Sequence, residues 1–314
     1  MGSQLKRVVS VSLGSPDGDF SRVVQMGDYQ VSLVREGMNG DMARATFRLQ
    51  ELDGTVDALG LGGIDIYLYV AGKQFVIGDG LKLARAASRT PVVDGSGLKN
   101  TLERQVVRDL AGRGLIGPGT RVFVVSAMDR FGMAEALVGL GCDCVFGDLA
   151  FNIGIDYPLR SLAEVAELAE KYRSRLLTVP FHMLYPTGEK QLKRSADPRF
   201  KKYYDDADVI AGDRHLILRH LPDHITGKGI ITTTTRPATM DQLRQAGASW
   251  IATTTPEMDG VSGGTNLIEA ALVAVIGKRP EDLTTADYEE WIQRLGLRGA
   301  FHGFESLTGS QLEP

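Results

Sequence analysis

The sequence predicts an α/β fold in which an N-terminal α/β domain is followed by a Rossmann-like, doubly wound parallel sheet, with a cleft between the two. Two observations predict this fold. Strand and helix patterns alternate over nearly the whole chain of 314 residues, and the Gly-Pro-Gly stretch at 117–119 has the composition of a hinge. We therefore predict domains at 1–116 and 117–283. We expect 284–314 to pack back on the first domain or on the hinge.

Local patterns predict the elements of the N-terminal domain. Apolar runs rich in β-branched residues favour strands, and helical spacing of apolar residues after Asp41 favours a helix. Ala71 and Gly72 favour a hairpin turn between two of the strands. The predicted strands are 8–13, 29–34, 56–61, 66–70, 74–77 and 90–93, and the predicted helices are 41–52, 81–87 and 98–112.

After the hinge, six short apolar segments alternate with helical patterns, which is typical of a doubly wound parallel sheet. The predicted strands are 122–127, 142–147, 176–180, 208–211, 229–233 and 250–253, and the longer predicted helices are 131–140, 162–172, 237–246 and 265–276. In such a sheet, ligands bind beyond the carboxyl ends of the strands. Candidate functional residues are therefore expected at those ends.

The composition limits the classes of partner. The net charge is −4 and the pI is about 5.8, which disfavours a nucleic-acid or anionic-membrane partner. No apolar run has the length of a membrane span and the N-terminus shows no signal-peptide pattern, so a cytoplasmic location is expected. Cys142 and Cys144 are expected to be reduced and packed as small hydrophobic residues. No metal site is predicted, because Pro222 interrupts the histidine-containing segment 215–224.

Asp94 is the first candidate catalytic residue. It ends an apolar strand pattern, is followed by Gly95-Ser96-Gly97, and precedes Lys99 by five positions. Glycines allow a substrate to come close, and a carboxylate beside an ammonium group can move a proton while the lysine stabilises an alkoxide. The alternative is structural, with Asp94 as the cap of the following helix and Lys99 in solvent.

A second group of candidates lies where a dinucleotide-binding sheet holds its cofactor. The first strand after the hinge leads into a helix through a loop that keeps one glycine, and Asp148 ends the next strand, where a carboxylate accepts hydrogen bonds from ribose hydroxyls. The cofactor-binding candidates are Ser126, Met128, Asp129, Arg130, Phe131, Gly132, Asp148, Thr233, Thr234 and Gly264. Structural alternatives exist, because threonine favours strands and an aspartate can simply end one.

Two further segments are ambiguous. The glycine-rich segment 260–266 opens the last apolar helix, and free N–H groups at such a start suit an anion or another polar ligand. A plain flexible turn is the alternative. The basic segment 189–202 is interpreted either as a solvated surface or as a lid over the cleft.

Three motifs follow one another in a recognisable order: Asp94-Gly95-Ser96-Gly97 as D-G-x-G, 236–246 as a variant of N-P-x-x-T-x-L-x-x-x-A, and 264–271 as a variant of G-x-x-M-L-x-x-Q-A-A. This order resembles the shikimate/quinate dehydrogenase family over residues 90–280. The resemblance implies NAD or NADP as the cofactor, and NAD is favoured because Asp148 repels the 2′-phosphate of NADP. It also implies catalysis by Asp94. The family's catalytic lysine motif is absent here, so Lys99 is taken as its substitute, and Ser10, Ser12, Asn100 and Glu269 are the substrate-binding candidates.

The first functional hypothesis is therefore an oxidoreductase, resembling quinate/shikimate 5-dehydrogenases, that transfers a hydride between a nicotinamide and a hydroxylated ring acid. Two alternatives stay open. One is a non-catalytic or repurposed protein that binds a nucleotide or a carboxylate metabolite in the same cleft. The other is a reductase of another carbonyl substrate, such as an acyl thioester. The absent glycine-rich loop favours the binding protein. A small-molecule substrate is the expected partner, with a homodimer as one option.

Overall fold

The protein has a mixed α/β fold in two lobes, and each lobe is built around a mainly parallel β-sheet. The computed structural model describes residues 5–185, 187–189, 193–195, 197–258 and 260–304. Within these ranges, no helix is both long and apolar enough to cross a lipid bilayer.

The first lobe contains a five-stranded sheet and a separate hairpin. Its elements are β1 (Leu5–Ser12), β2 (Phe20–Met26), β3 (Tyr29–Gly37), α1 (Met42–Leu52), β4 (Ala58–Gly62), β5 (Tyr67–Val70), β6 (Lys73–Val76), α2 (Gly78–Ala84) and β7 (Val92–Val93). The sheet order is β2-β3-β1-β4-β7, and each neighbouring pair except β2 and β3 is parallel. The predicted hairpin turn is confirmed, since Ala71 and Gly72 connect β5 to β6 with positive φ angles.

The second lobe contains a six-stranded sheet. The chain continues through α3 (Ser96–Lys99), α4 (Leu102–Gly112), β8 (Arg121–Val124), α5 (Phe131–Gly139), β9 (Asp143–Phe146), α6 (Leu162–Thr178), α7 (Phe181–Leu184), α8 (Lys201–Asp206), β10 (Val209–Gly212), α9 (Arg214–Arg219), β11 (Gly229–Thr232), α10 (Pro237–Gln245), β12 (Trp250–Thr253), β13 (Glu257–Met258), β14 (Val261–Ser262), α11 (Thr265–Ile276), α12 (Thr285–Arg294) and β15 (Phe301–Gly303). The sheet order is β15-β12-β11-β10-β8-β9. The strands are parallel except β15, which runs antiparallel to β12.

Two predicted elements are wrong. The predicted strand at 176–180 is the last turn of α6 and the residues after it, because Ala169 and Leu176 continue one buried helical face up to the turn before Pro180. The predicted helix 98–112 is two helices, separated at Thr101, where φ is −124° and ψ is −73°. The prediction also missed β2.

α11 connects the second sheet to the first. It follows the second-sheet strand β12, yet it packs against β1 and β4 of the first sheet. It comes close at Gly60, where a Cβ atom would lie 2.9 Å from the carbonyl oxygen of Asn266. Ten of its twelve residues are buried, which explains why its sequence is apolar on all sides. The domain boundaries at 1–116 and 117–283 stay predictions, and α11 belongs by its packing to the first lobe.

α6 also crosses to the first lobe, where it packs against α2 and β6. Lys73 Nζ lies 2.7 Å from Glu170 Oε1 across this contact. Beyond α6, the N–H of Phe181 donates to Asp79 Oδ2 at 2.9 Å. Gly78 has no room for a side chain, because a Cβ atom there would overlap the carbonyl oxygen of Leu177. The two lobes are therefore in direct contact along α6.

The basic segment 189–202 begins in contact with the first lobe. The N–H of Glu189 donates to Asn39 Oδ1 at 3.0 Å, and the preceding Gly188 donates its N–H to the carbonyl oxygen of Leu13 at 2.9 Å. Residues 190–192 and 196 lie outside the described residues. The interpretation of the segment as a lid stays a prediction.

Gly78→Ala tests the contact between α2 and α6. The new Cβ atom would overlap the carbonyl oxygen of Leu177, so we expect the free energy of unfolding to fall by about 1–3 kcal/mol. The control is Gly112→Ala at the end of α4, where a Cβ atom meets nothing within 4 Å and should be neutral or stabilising. Urea unfolding measures both variants. Equal stability of the two would contradict the packing described here.

Candidate functional site

A cavity of about 300 Å³ lies between the two lobes, at the carboxyl ends of both sheets. The first lobe contributes Ser12 at the end of β1. The second lobe contributes the residues that follow β8, β9, β10 and β11, which include Ser126, Asp148, Asp213 and Thr233. Open α/β sheets bind their ligands at this edge, and the volume falls at the lower end of the range for small-molecule pockets.

An ammonium group between two carboxylates, here called the charged centre, lines the cavity. Lys99 Nζ lies 2.6 Å from Asp65 Oδ1 and 2.5 Å from Asp129 Oδ1. Burial acts to lower the pKa of Lys99, but Asp129 and Asp65 raise it above its usual value, so the lysine is a cation. Asp65 belongs to the loop after β4, Lys99 ends α3, and Asp129 belongs to the loop after β8. The three charges therefore join the two sheets.

The two carboxylates around Lys99 differ in pKa. Burial raises the pKa of Asp65 well above its usual value, and the neighbouring carboxylate of Asp129 adds to this effect. Burial acts in the same direction on Asp129, but the cations of Lys99 and Arg130 hold the pKa of Asp129 below its usual range. Asp129 is therefore ionised, and Asp65 is the member of the pair that binds a proton more readily.

A second buried ion pair lies beside this centre. The guanidinium of Arg130 is bonded to Glu103, and both side chains are buried. Arg130 Nε also lies 3.4 Å from Asp129 Oδ2, and the hydroxyl of Thr254 lies 3.4 Å from Glu103 Oε1. The cations in and beside the charged centre are therefore matched by carboxylates of the chain itself.

The backbone holds the carboxylate of Asp94, although Asp94 does line the cavity. Oδ2 accepts the N–H groups of Ile66 at 2.6 Å and of Tyr67 at 2.9 Å, and Oδ1 accepts the N–H of Ser96 at 2.9 Å. Gly95, with φ of 99°, makes the turn that brings the Ser96 N–H back to this carboxylate. Asp94 thus fixes the backbone of two segments.

Those two segments carry the charges described above. Asp94 fixes the loop that holds Asp65 and the start of the helix that holds Lys99. The predicted pairing of Asp94 with Lys99 is replaced by the arrangement in which Lys99 lies between Asp65 and Asp129. Asp94 therefore acts on Lys99 through the backbone and not as its hydrogen-bond partner.

Asp148 holds the loop after β8, residues 126–132, in which most of the predicted cofactor-binding residues lie. Its carboxylate accepts the N–H of Ala127 at 3.0 Å and the N–H of Met128 at 2.7 Å, and burial raises the pKa of Asp148 to about 6. The hydroxyls of a ribose would compete for the same carboxylate oxygens. Asp129 places another negative charge at the start of α5, where a pyrophosphate would bind. The loop therefore does not fit NAD or NADP.

Most of the predicted site residues line the cavity: Ser12, Asp94, Lys99, Ser126, Met128, Asp129, Arg130, Asp148, Thr233, Thr234 and Gly264. The others are not part of its lining: Ser10, Asn100, Phe131, Gly132 and Glu269. The hydroxyl of Ser10 donates to Asn266 Oδ1 at 2.6 Å, and the amide of Asn100 donates to the carbonyl oxygen of Ser96 at 3.0 Å. The functional roles of these residues stay predictions.

Glu269 is a buried carboxyl group behind the cavity lining. Its Oε1 accepts the hydroxyl of Tyr288 at 2.7 Å and the N–H of Gly97 at 3.1 Å, whereas Oε2 has no hydrogen-bond partner in the described part of the chain. Burial raises the pKa of Glu269 to about 7, and the carboxylate of Asp94 adds to this effect. Glu269 joins α11 to α3 and α12.

The sequence prediction missed a group of cationic side chains in the cavity, here called the arginine cluster: Arg35, Arg214 and Arg236. Arg35 is paired, since its Nη1 lies 2.7 Å from Asp19 Oδ1 and its Nη2 donates to Ser12 Oγ at 3.1 Å. Arg35 and Arg236 both lie against Gly18, where a Cβ atom would meet the two guanidinium groups.

Arg214 and Arg236 have no carboxylate within 4.0 Å among the described residues. Arg236 Nη1 donates to the carbonyl oxygen of Asp17 at 3.0 Å, and Arg214 Nη2 lies 3.0 Å from His215 Nε2. The buried Nε of Arg214 has no hydrogen-bond partner in the same ranges. Burial, together with Arg236, lowers the pKa of Arg214 to about 10. Burial, together with Arg214, lowers the pKa of His215 to about 3, so His215 is neutral.

One signal could have pointed to the arginine cluster. Each of its members lies near the carboxyl end of a parallel strand: Arg35 is close to the end of β3, Arg214 comes just after β10, and Arg236 comes shortly after β11. The rule that ligands bind at these ends applies to arginines as it does to aspartates.

The chain belongs to the family described as a domain of unknown function, DUF8754, whose model matches residues 97–303. A second family model, also described as a domain of unknown function (DUF8753), matches residues 7–94. No curated protein matches the chain at a significant level.

Several solved structures are similar at low scores. An ABC transporter solute-binding protein from Burkholderia multivorans, with an unknown ligand interpreted as alpha-D-erythrofuranose, is 12% identical with a TM-score of 0.39, over 96% of this chain and 100% of that chain. A galactofuranose-binding protein is 12% identical with a TM-score of 0.36, over 95% and 94%. A sugar ABC transport substrate-binding protein from Bordetella parapertussis is 12% identical with a TM-score of 0.36, over 88% and 82%. At these scores, the similarity does not define what this chain binds.

The identification as a shikimate/quinate dehydrogenase is wrong. The family models that match the chain describe domains of unknown function and not dehydrogenases. The geometry gives a physical reason, because backbone N–H groups occupy the carboxylates of Asp94 and Asp148. The predictions that depended on this identification are therefore also wrong: the oxidoreductase activity, the quinate or shikimate substrate, and the NAD or NADP cofactor.

Lys99→Met tests the charged centre. Removal of the ammonium leaves Asp65 and Asp129 buried without their shared cation, so we expect the free energy of unfolding to fall by about 3–5 kcal/mol. The control is Lys73→Met, which breaks an exposed ion pair and should cost less than about 1 kcal/mol. Chemical denaturation measures both. A Lys99→Met variant as stable as the control would contradict the role given to Lys99.

Glu269→Gln tests how the raised pKa of Glu269 makes the stability of the protein depend on pH. The pKa of Glu269 is raised from 4.5 to about 7, so the folded state binds the proton more tightly than the unfolded state does. Stability from this group is therefore greatest at low pH and is lost as the pH rises through this window, by up to about 3 kcal/mol.

Glu269→Gln keeps an acceptor oxygen for Tyr288 and Gly97 and should lack this loss of stability. Urea unfolding at about pH 5 and about pH 8 measures the effect, and exposed Glu289→Gln should retain the pH dependence of the wild type. If Glu269→Gln and the wild type lose the same stability between these pH values, the raised pKa is refuted.

Proposed function

We propose that the cavity binds a small organic anion and that the arginine cluster holds its anionic group. The charge balance of the cluster is the observation that supports this proposal. Arg35 has a carboxylate partner in Asp19, whereas Arg214 and Arg236 have none within 4.0 Å in the described part of the chain. A ligand anion supplies the missing charge and accepts paired hydrogen bonds from the planar guanidinium groups.

Without an anion, the arginine cluster is electrostatically unfavourable. Like charges in a partly buried site repel one another, and a buried donor without an acceptor costs about 1–3 kcal/mol. The Nε of Arg214 is such a donor, and the lowered pKa of Arg214 reflects its burial near another arginine. Unfavourable groups of this kind concentrate at functional sites, which favours ligand binding as the reason for the cluster.

The organic part of the ligand has an apolar surface available. Side chains from the hairpin region, α6 and α7 line the same cavity: Leu68, Ile77, Leu168, Tyr172, Leu176 and Phe181. Apolar walls exclude water and so strengthen the charge interactions inside the cavity. A ligand with one anionic group and a small carbon skeleton fits this combination.

In this proposal, the second sheet is a Rossmann-like, doubly wound scaffold that binds a small molecule without a dinucleotide. The order β9-β8-β10-β11-β12 reverses direction between β8 and β10, which supports this interpretation. Ligands bind at such a reversal point. The loop after β8 supplies Asp129 and Arg130 to the cavity, and the segment after β10 supplies Asp213, Arg214 and His215.

Arg214→Gln tests the proposal. We expect this variant to bind inorganic phosphate and ribose 5-phosphate at least about tenfold more weakly than the wild type, because a hydrogen bond to a charged group contributes about 1.5–3 kcal/mol. Isothermal titration calorimetry measures the affinities, and exposed Arg44→Gln on α1 is the matched control. Without ligand, Arg214→Gln should be at least as stable as the wild type, because one repelling charge is gone.

Two results would overturn the proposal. One is a wild-type protein that binds neither of these anions nor the carboxylate ribonate. The other is an Arg214→Gln variant that binds both anions as tightly as Arg44→Gln does, which would show that the arginine cluster does not hold the ligand.

A further inference from the structure

The amino end of α11 meets the cavity beside the arginine cluster. Gly264, Thr265 and Asn266 all line the cavity. α11 has twelve residues, so its first N–H groups and its dipole present partial positive charge at this end. The N–H groups of Thr265 and Asn266 have no acceptor among the described residues. This helix end therefore has N–H groups that can donate hydrogen bonds to a ligand.

Thr265 provides a second, independent observation that points to a ligand. Its side chain is only 6% exposed, and its Oγ1 has no hydrogen-bond partner within the described ranges. Buried hydroxyl groups in folded proteins nearly always have a partner. Because Thr265 lines the cavity, the acceptor for its hydroxyl can come from a molecule bound there.

One set of contacts joins this helix end to Arg35. Ser12 Oγ accepts a hydrogen bond from Arg35 Nη2 at 3.1 Å. A Cβ atom on Gly62 would lie 2.9 Å from Ser12 Oγ and 3.0 Å from Asn266 Nδ2, so the side chains of Ser12 and Asn266 converge on the same glycine. Asn266 is therefore close to the arginine cluster through Ser12.

A second set of contacts joins the helix end to Arg236. Ser262 Oγ accepts the N–H of Thr235 at 2.6 Å, and Arg236 is the next residue of the chain. Two glycines separate Ser262 from Thr265. The start of α11 is thus connected to Arg35 through Ser12, and to the segment that carries Arg236 through Ser262 and Thr235.

We propose that the ligand is a phosphate monoester, whose phosphate group is bound jointly by the amino end of α11, the hydroxyl of Thr265 and the arginine cluster. This inference rests on the proposed function and specifies the anionic group of the ligand. It assigns Thr265 and the N–H groups of Thr265 and Asn266 as phosphate-binding groups. Helix amino ends are suited to phosphate by their free N–H groups and their dipole.

The number of donors favours a phosphate over a carboxylate. Of the three guanidinium groups in the arginine cluster, only that of Arg35 has a carboxylate within 4.0 Å among the described residues, although the charge of Asp213 also acts on Arg214, and His215 is neutral. A phosphate monoester has close to two negative charges at neutral pH and three strong acceptor oxygens. A carboxylate has one charge and two oxygens, so it would leave guanidinium or helix N–H donors without an acceptor.

Thr265→Val tests this inference, because valine keeps the shape and the backbone N–H of residue 265 but lacks the hydroxyl. Thr265→Ser, which keeps the hydroxyl, is the matched control, and Thr265→Ala is a second variant without it. Isothermal titration calorimetry compares ribose 5-phosphate, ribonate, ribose and inorganic phosphate. Thermal unfolding without ligand verifies the fold, and loss of an unpartnered buried hydroxyl should not lower the midpoint.

We expect ribose 5-phosphate to bind the wild type at least about tenfold more tightly than ribonate does, and more tightly than inorganic phosphate. Thr265→Val and Thr265→Ala should weaken the binding of ribose 5-phosphate about five- to tenfold, whereas Thr265→Ser should stay within about twofold of the wild type. Ribose itself should not bind measurably.

The possible failures are distinguishable. If ribonate or inorganic phosphate binds as tightly as ribose 5-phosphate, the phosphate monoester is overturned while anion binding stands. Equal affinity of folded Thr265→Val and the wild type for ribose 5-phosphate would overturn the role of Thr265. If no anion binds the wild type, the proposed function and this inference fail together.

Discussion

The ammonium of Lys99, held between the carboxylates of Asp65 and Asp129, is the contact on which the rest of the site depends. It joins the loop after β4 to the loop after β8, and so holds the carboxyl ends of the two sheets around one cavity. Asp94 positions this contact, because its carboxylate binds backbone N–H groups of the segments that carry Asp65 and Lys99. Removing one member of such a buried group leaves an uncompensated charge, which makes the arrangement cooperative. The contact that joins the two lobes thus also fixes the positions of the loops that line the cavity.

The two charged regions of the cavity differ in whether the chain supplies carboxylate partners for their cations. Around Lys99 and Arg130, the chain supplies its own carboxylates, and these charges stabilise the fold. At the arginine cluster and the amino end of α11, Arg214 Nε and the hydroxyl of Thr265 have no hydrogen-bond partner in the described ranges, and no carboxylate there lies within 4.0 Å of Arg214 or Arg236. A buried site with unmatched donors is costly for the empty protein and favourable for a bound anion. This contrast is the reason why we propose that the ligand binds at the arginine end of the cavity.

Sequence patterns predicted the coarse architecture because buried parallel strands appear as short apolar runs between helices. Assigning short apolar runs to strands failed at 176–180, because the apolar last turn of an amphipathic helix has the composition of a strand. Asp94 and Asp129, which the strand-end rule selected, both line the cavity, and their functional roles stay predictions. The rule could not identify the partners of Lys99, because an ion pair between distant segments depends on the tertiary fold. For the same reason it did not assemble the arginine cluster, whose members come from three separate strand ends, although the start of α11 was recognised as suited to an anion.

The central claim is that the arginine cluster and the amino end of α11 form one phosphate-binding site. A crystal structure of the full chain grown with ribose 5-phosphate tests it most directly. The account predicts a phosphorus atom within about 4 Å of both the guanidinium of Arg214 and the hydroxyl of Thr265, with the sugar inside the cavity. Ribose 5-phosphate bound only outside this cavity, or a well-ordered cavity that stays without the ligand at saturating concentration, would contradict the account.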